Sequence, residues 1–303
     1  MKRLLALLLL TASTLGVSAQ KTVELKCNAD EVIRWWDNRT APHSNGETED
    51  EAFDKKGNVI HSSETAFYLF KADEAVNTRR SVVIFPGGGY YKLSINFRLA
   101  EWFAKHGVTA MFVKYRLPNG VKEVPLEDAQ AAMGYLRKHA KRLNIDPSKV
   151  GVCGNSAGGH LAAYVSNFTP DNEKPAWAIL FYPVITEPEW HTHNYTFRNL
   201  LGKERTPAEK QYYALENRVT SATPPTMILV TDDDTTVPNI SSLLYYEALK
   251  RHGVKAAMHI YPSGGHGWAG RKGYIYRSSF LSHIEDWLAE LDEADNKTDN
   301  TRK

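Results

Sequence analysis

Short apolar runs recur along the chain, separated by segments of helical spacing. Thr65 to Lys71 alternates apolar and polar positions and predicts a strand. Ser81 to Phe85, Val108 to Tyr115, Lys149 to Cys153, Ala176 to Tyr182, Met227 to Val230 and Ala256 to Tyr261 also read as strands, several of them apolar throughout, as strands covered on both faces are. Helical spacing predicts Phe97 to His106, closed by Gly107, and Val124 to Leu143, which puts Leu126, Ala129, Ala132, Met133 and Leu136 on one face. Further helices are predicted at Ala157 to Asn167, Ser241 to His252 and Gly273 to Leu291, the last with Ile275, Phe280, Ile284, Trp287, Leu288 and Leu291 inward. Strands alternating with helices predict an α/β fold, a doubly wound, mostly parallel sheet with helices on both faces. No internal repeat interrupts it.

The ends and one internal stretch depart from this rhythm. Residues 1–19 read as a signal peptide: Lys2 and Arg3, an apolar run from Leu4 to Leu10, and Val17-Ser18-Ala19 as the cleavage site before Gln20. The apolar run is too short for a bilayer span of ~20 residues, so a secreted or periplasmic protein is expected. Residues 20–59 form a polar N-terminal arm, expected as a strand followed by a surface segment, with Trp35-Trp36 anchoring it to the body or stacking on a sugar. Residues 60–291 form the domain, with a small insertion at 185–222 over the carboxyl edge of the sheet, and the charged tail 292–303 is expected to be disordered.

Charge and cysteines narrow the partners. Lys2 and Arg3 are two of 37 basic residues, so their removal leaves 35 against 35 acidic side chains. That balance offers no field for nucleic acid or for an anionic membrane. Cys27 and Cys153 form no disulfide framework, and Cys153, in a predicted strand, packs as a small apolar group.

The chemistry centres on Gly154-Asn155-Ser156-Ala157-Gly158, a G-x-S-x-G match between a predicted strand and a predicted helix. There the serine sits at a turn whose following helix aims its free N–H groups at the reacting centre. A serine needs a base, and the base needs an acid to hold its tautomer. The strand Ala256 to Tyr261 delivers Gly264-Gly265-His266-Gly267, and the strand Met227 to Val230 delivers Asp232-Asp233-Asp234. His266 is the expected base and Asp234 the preferred acid, from the D-x-x-V-P spacing, with Asp233 the alternative. Gly87-Gly88-Gly89 follows its own strand, so Gly88, Gly89 and Ala157 are expected to supply oxyanion-hole N–H groups. His160, one turn into the elbow helix, is expected to pack and hydrogen-bond.

With those pieces assembled, the chain resembles the secreted bacterial carbohydrate-esterase branch of the α/β-hydrolase superfamily, whose members are labelled acetylxylan esterase or xylanase. The resemblance spans Ser62 to Leu291 and rests on PGGGY (86–90), KYRLPNG (114–120), GNSAGGHLAA (154–163), FYPVI (181–185), RNLLG (198–202), TPPTMILVTDDDTTVP (223–238) and YPSGGHGW (261–268). The chain departs from the branch after PGGGYYKLS, running directly into Ile95-Asn96-Phe97-Arg98 where an acidic residue and a glycine are common. The resemblance implies a serine esterase, with no metal or cofactor, that removes acetyl groups from plant cell-wall polysaccharide or its oligosaccharides. Tyr90, Trp268 and, within the stretch His191 to Asn199, His193 and Arg198 are the candidates for the sugar-facing wall, with core or loop packing as their alternative role. The rival functions are an exported serine peptidase, a general small-ester carboxylesterase, and a non-catalytic glycan-binding protein on the same fold. The sequence carries no signal for an oligomeric state.

Overall fold

The computed structural model describes residues 20–187 and 193–301, with side chains described through residue 293; the expected signal peptide lies outside them. The polar arm opens with β1 (Glu31–Asp37), followed by the two-residue strands β2 (Ala52–Phe53) and β3 (Val59–Ile60), which pair with each other. The domain then runs β4 (Glu64–Phe70), β5 (Arg80–Phe85), α1 (Arg98–Lys105), β6 (Val108–Lys114), α2 (Glu123–Lys138) and α3 (Ala140–Leu143). It continues with β7 (Val150–Asn155), α4 (Ala157–Phe168), β8 (Ala178–Phe181), α5 (Asn194–Leu201) and α6 (Pro207–Tyr213). It closes with β9 (Thr226–Thr231), α7 (Ile240–Arg251), β10 (Ala256–Tyr261) and α8 (Arg277–Thr301).

Eight strands form one sheet in the order β1-β4-β6-β5-β7-β8-β9-β10. From β6 to β10 every neighbouring pair is parallel, while β4 pairs antiparallel with both β6 and β1. The apolar runs explain the centre: every residue of β5, β6 and β9 is buried, as a strand covered on both faces requires. The chain leaves β5 for β6 on one side and reaches β7 on the other, so the carboxyl ends of β5 and β7 flank the switch point where open α/β sheets bind ligands.

Several expectations need correction. The helix predicted over 124–143 breaks at His139, whose backbone leaves the helical region (φ −102°, ψ 16°), and α3 follows as a separate turn. The final helix begins at Arg277, four residues later than predicted, so Ile275 lies before it and is 76% exposed. Its backbone runs to Thr301, through the tail expected to be disordered. No Gly or Pro stops it, and Asp292 accepts hydrogen bonds from Arg80 and Lys149. The described part of the insertion carries two helices, α5 and α6, the latter started by Thr206 and Glu209 in a reciprocal capping box.

The arm is less superficial than its polarity suggests. Trp35 packs on Phe67 and Tyr135 (centroids 5.5 and 5.8 Å), and Trp36 Nε1 donates to buried Asp128 at 2.6 Å. Asn45 and Glu51 are buried, Glu51 against Lys114 at 2.5 Å. The arm's polar residues read as surface because their partners lie far along the chain.

Candidate active site

A serine hydroxyl reacts only where the chain can present it clear of its own backbone. β7 ends at Asn155, α4 begins at Ala157, and Ser156 between them takes φ 57°, ψ −121°, a conformation that is strained for a residue with a side chain. Neither flanking glycine is at positive φ; what excludes a side chain is close approach. A Cβ on Gly154 would lie 2.0 Å from the Gly158 carbonyl oxygen, and one on Gly158 would lie 2.1 Å from that of Phe85. The elbow is thus clamped against itself and against the end of β5.

The loop after β10 brings His266 to the apex. Ser156 Oγ and His266 Nε2 are 2.8 Å apart, and His266 Nδ1 stands 2.7 Å from Asp234 Oδ2. A carboxylate accepts only, so Asp234 fixes the proton on Nδ1 and leaves Nε2 to take the hydroxyl proton. Asp234, 6% exposed, is held by its other oxygen, which accepts the N–H groups of Thr236 and Val237, both at 2.9 Å. Asp233 has a different position: its carboxylate accepts from Gly264 at 3.0 Å and Gly265 at 2.8 Å, and the Gly265 and Gly264 N–H groups hold its pKa below the usual 3.8. Glycines at 264, 265 and 267 take φ of +149°, +60° and +81°, the reason this loop is glycine-rich. The His266 ring also meets Tyr182 edge-on at 4.6 Å.

The glycine loop after β5 forms the facing wall. Gly88 (φ +132°) leaves no room for a Cβ, which would fall 2.1 Å from the Lys92 carbonyl oxygen, and Gly89 (φ +62°) follows. Among the described residues no protein acceptor takes the N–H of Gly88, Gly89 or Ala157. Gly88 and Gly89 line the same cleft as Ser156 and His266, a cavity of about 730 Å³. Asn199 Nδ2 donates to the Gly89 carbonyl at 2.7 Å and ties α5 to this loop, a tether the sequence reading missed although Asn199 stands within the RNLLG match.

The expected sugar wall is only partly present. His193 lines the cleft, its Nδ1 2.8 Å from Thr196 Oγ1, and burial first, then the neighbouring His266, lowers its pKa. Tyr90 does not: it is fully buried, its hydroxyl 2.9 Å from His160 Nδ1. Trp268 is also fully buried, stacked on Tyr274 at 4.6 Å. Arg198 is exposed and lines a separate depression with Tyr195 and Lys203, because Thr196, Phe197 and Leu200 take the inner face of α5. His191 and Thr192 lie outside the described residues. The cleft mouth carries instead Tyr91, Tyr195, Asn96, Thr236 and Arg271; Tyr195 stands in the candidate stretch His191 to Asn199 and Asn96 in the segment that departs from the family pattern, but none was named individually for the wall. No sequence signal separates Tyr91 from Tyr90, since a turn in which Tyr90 takes φ +59° decides which of the two faces the cleft.

His160 packs as expected: burial drives its pKa down to about 3, so it is neutral. Among the described residues, no group of three or more His, Cys, Asp or Glu side chains is placed to hold a metal ion.

Comparison with known proteins places the fold. A family model described as an alpha/beta hydrolase fold matches residues 82–270. An acetylxylan esterase of Xylanibacter ruminicola is 36% identical over 219 residues, 70% of this chain and 46% of that protein. An endo-1,4-beta-xylanase B of Butyrivibrio fibrisolvens is 34% identical over 206 residues, 62% of this chain and 32% of that protein. The chain thus spans less than half the length of either. Among solved structures, an acetyl ester-xyloside bifunctional hydrolase from Caldicellulosiruptor lactoaceticus superposes with a TM-score of 0.74 at 30% identity, covering 86% of this chain and 96% of that one. A propionate-bound thermophilic esterase from Thermogutta terrifontis gives 0.64 at 27% identity, over 82% and 96%.

Proposed function

The chain belongs to the α/β-hydrolase family, and on that premise we propose that it is a serine esterase that removes acetyl groups from plant cell-wall polysaccharide or its oligosaccharides. Ser156 Oγ attacks the ester carbonyl carbon as His266 Nε2 takes the hydroxyl proton. The N–H groups of Gly88, Gly89 and Ala157 receive the negative charge that develops on the carbonyl oxygen. When the carbon–oxygen bond to the sugar breaks, His266 returns its proton to the departing oxygen, leaving the acetyl group on Ser156. His266 then deprotonates a water, which attacks the acyl-enzyme; acetate leaves and Ser156 recovers its proton. Asp234 keeps His266 in the one tautomer that permits both transfers.

The observation that carries this reading is the continuous relay Ser156–His266–Asp234, 2.8 and 2.7 Å long, with the serine at a strained apex. The carbohydrate half is supported by the relatives and by Tyr91 and Tyr195, 43% and 48% exposed and edge to face at 5.2 Å at the cleft mouth. Exposed rings beside a polar cleft suit the apolar faces of sugars. Export is supported by the basic, apolar and small-residue order of residues 1–19, and among the described residues no helix is long and apolar enough to cross a membrane. Amino-terminal sequencing of the natural protein checks export, with Gln20 expected first.

The test compares wild type with Ser156→Ala on 4-nitrophenyl acetate and on acetylated xylo-oligosaccharides, following acetate. Loss of the nucleophile is expected to lower kcat by about 10⁴-fold or more on both. Equal rates for the two proteins would remove Ser156 from the mechanism, and cleavage of the small ester alone would remove the glycan.

A further inference from the structure

The residues that line the cleft include no Asp or Glu among the described residues, and Arg271 is their one fixed charge. Its guanidinium is exposed and forms no ion pair among them; it reaches only the carbonyl oxygens of Gly264 at 3.4 Å and His266 at 3.5 Å, both long. Its place at the rim is set by backbone instead: its N–H donates to the Trp268 carbonyl at 2.8 Å, and its own carbonyl accepts from Tyr274. Asp233, bound to the same loop, has its oxygens engaged by Gly264 and Gly265.

Two more cations share this rim. Arg98 Nη1 donates to the Gly270 carbonyl at 2.9 Å and Arg277 Nη1 to that of Ala269 at 3.5 Å, so both are bound to neutral acceptors. Burial, and then the charge of Arg98, lower the pKa of Arg277. A cleft lined with one sign of charge concentrates ligands of the other. Because His266 hands its proton to the departing oxygen, the wall built on its loop faces the alcohol half of the ester.

We propose that Arg271 is a specificity-determining residue that selects esters whose alcohol half carries a carboxylate: an acetylated oligosaccharide bearing a uronic acid, in preference to a neutral one. This rests on the acyl-transfer reading above. The guanidinium would pair with the uronate while Ser156 attacks an acetyl group on a neighbouring sugar; no bond to the uronate is made or broken.

The test measures kcat/KM of wild type, Arg271→Gln and Arg271→Lys on four esters. These are acetylated xylo-oligosaccharides with a glucuronic acid branch, the same without it, 4-nitrophenyl acetate, and 4-nitrophenyl hemisuccinate, whose carboxylate is on the acyl half. Wild type is expected to prefer the acidic glycan by about five- to tenfold, the range of one partly exposed charge-assisted contact. Arg271→Gln is expected to erase that preference by raising KM several-fold more for the acidic glycan than for the neutral glycan or 4-nitrophenyl acetate, and Arg271→Lys to keep part of it. Equal cleavage of both glycans by wild type overturns the proposal and leaves the esterase reading intact. An equal loss on all four esters in Arg271→Gln also overturns it, because that is the mark of a residue that merely supports the His266 loop. Dependence on Arg271 for the hemisuccinate alone overturns the assignment to the alcohol half. If wild type cleaves neither glycan, the carbohydrate reading falls and this proposal falls with it.

Discussion

Asp233 and Asp234 are adjacent in sequence and differ in what their carboxylates hold. Asp234 is 6% exposed and meets the His266 ring, whereas Asp233 binds the backbone of the loop that carries the ring. Asp234→Asn is therefore expected to lower kcat by roughly 10⁴-fold, since an amide can donate to Nδ1 and favour the wrong tautomer. Asp233→Asn keeps one acceptor for the two glycine N–H groups and is expected to cost about tenfold or less. Steady-state kinetics of the two variants decide, and the larger loss at Asp233 would reverse the assignment. A second residue-scale prediction concerns His160, whose pKa falls from 6.5 to about 3 on burial. Below pH 6.5 the unfolded chain takes up a proton that the folded chain refuses, so stability falls as pH is lowered toward 3, by up to ~1.4 kcal/mol per pH unit. Urea melts at pH 7 and pH 4.5 should show a smaller drop for His160→Gln than for wild type. At this scale the meeting of Ser156 and His266 was legible in the sequence because each stands in a local motif, while the choice of Asp234 over Asp233 needed the structure. The wall was not legible, because whether Tyr90 or Tyr91 faces the cleft depends on a turn in which Tyr90 itself takes φ +59°.

Strands and helices were legible to within a few residues wherever one period governed them, as in β10, predicted and found at Ala256 to Tyr261. A boundary failed at His139, between α2 and α3, where no Gly or Pro marks the break. The elbow illustrates what a motif conceals: its glycines answer to neighbouring backbone. Gly158→Ala would drive a methyl group to within 2.1 Å of the Phe85 carbonyl, so β5 and α4 would have to part. It is expected to cost about 3 kcal/mol or more, at the upper end of overpacking, and to abolish activity. Gly134 gives the contrast: in α2 (Glu123–Lys138) it is exposed, with nothing within 4 Å of an added Cβ. Gly134→Ala is expected to stabilise by ~0.5–1 kcal/mol at unchanged kcat. Thermal melts with esterase assays on the two variants separate close approach from helix propensity.

At the scale of the whole molecule, the mostly parallel sheet follows from alternating elements, but the union of arm and domain does not. Polar composition marks residues 20–59 as surface, and sequence alone has no means of pairing Glu51 with Lys114, 63 positions away. Yet both side chains are fully buried, and Glu51 also accepts the N–H groups of Val23, Ser63 and Glu64. One carboxylate thus joins the start of the arm, the entry to β4 and the end of β6. Burial lowers the pKa of Lys114, against which the charge of Glu51 acts. Glu51→Gln preserves shape and removes that charge, leaving a buried ammonium uncompensated, at an expected cost of about 3–5 kcal/mol. Adding Lys114→Met should recover a large part of the loss, because the pair's attraction and its desolvation cost disappear together. If the arm were a loosely attached segment, Glu51→Gln would leave the urea midpoint within error of wild type. If arm and domain fold as one unit, the midpoint falls, one transition remains, and kcat per folded molecule is unchanged because the Ser156–His266–Asp234 relay does not include the pair.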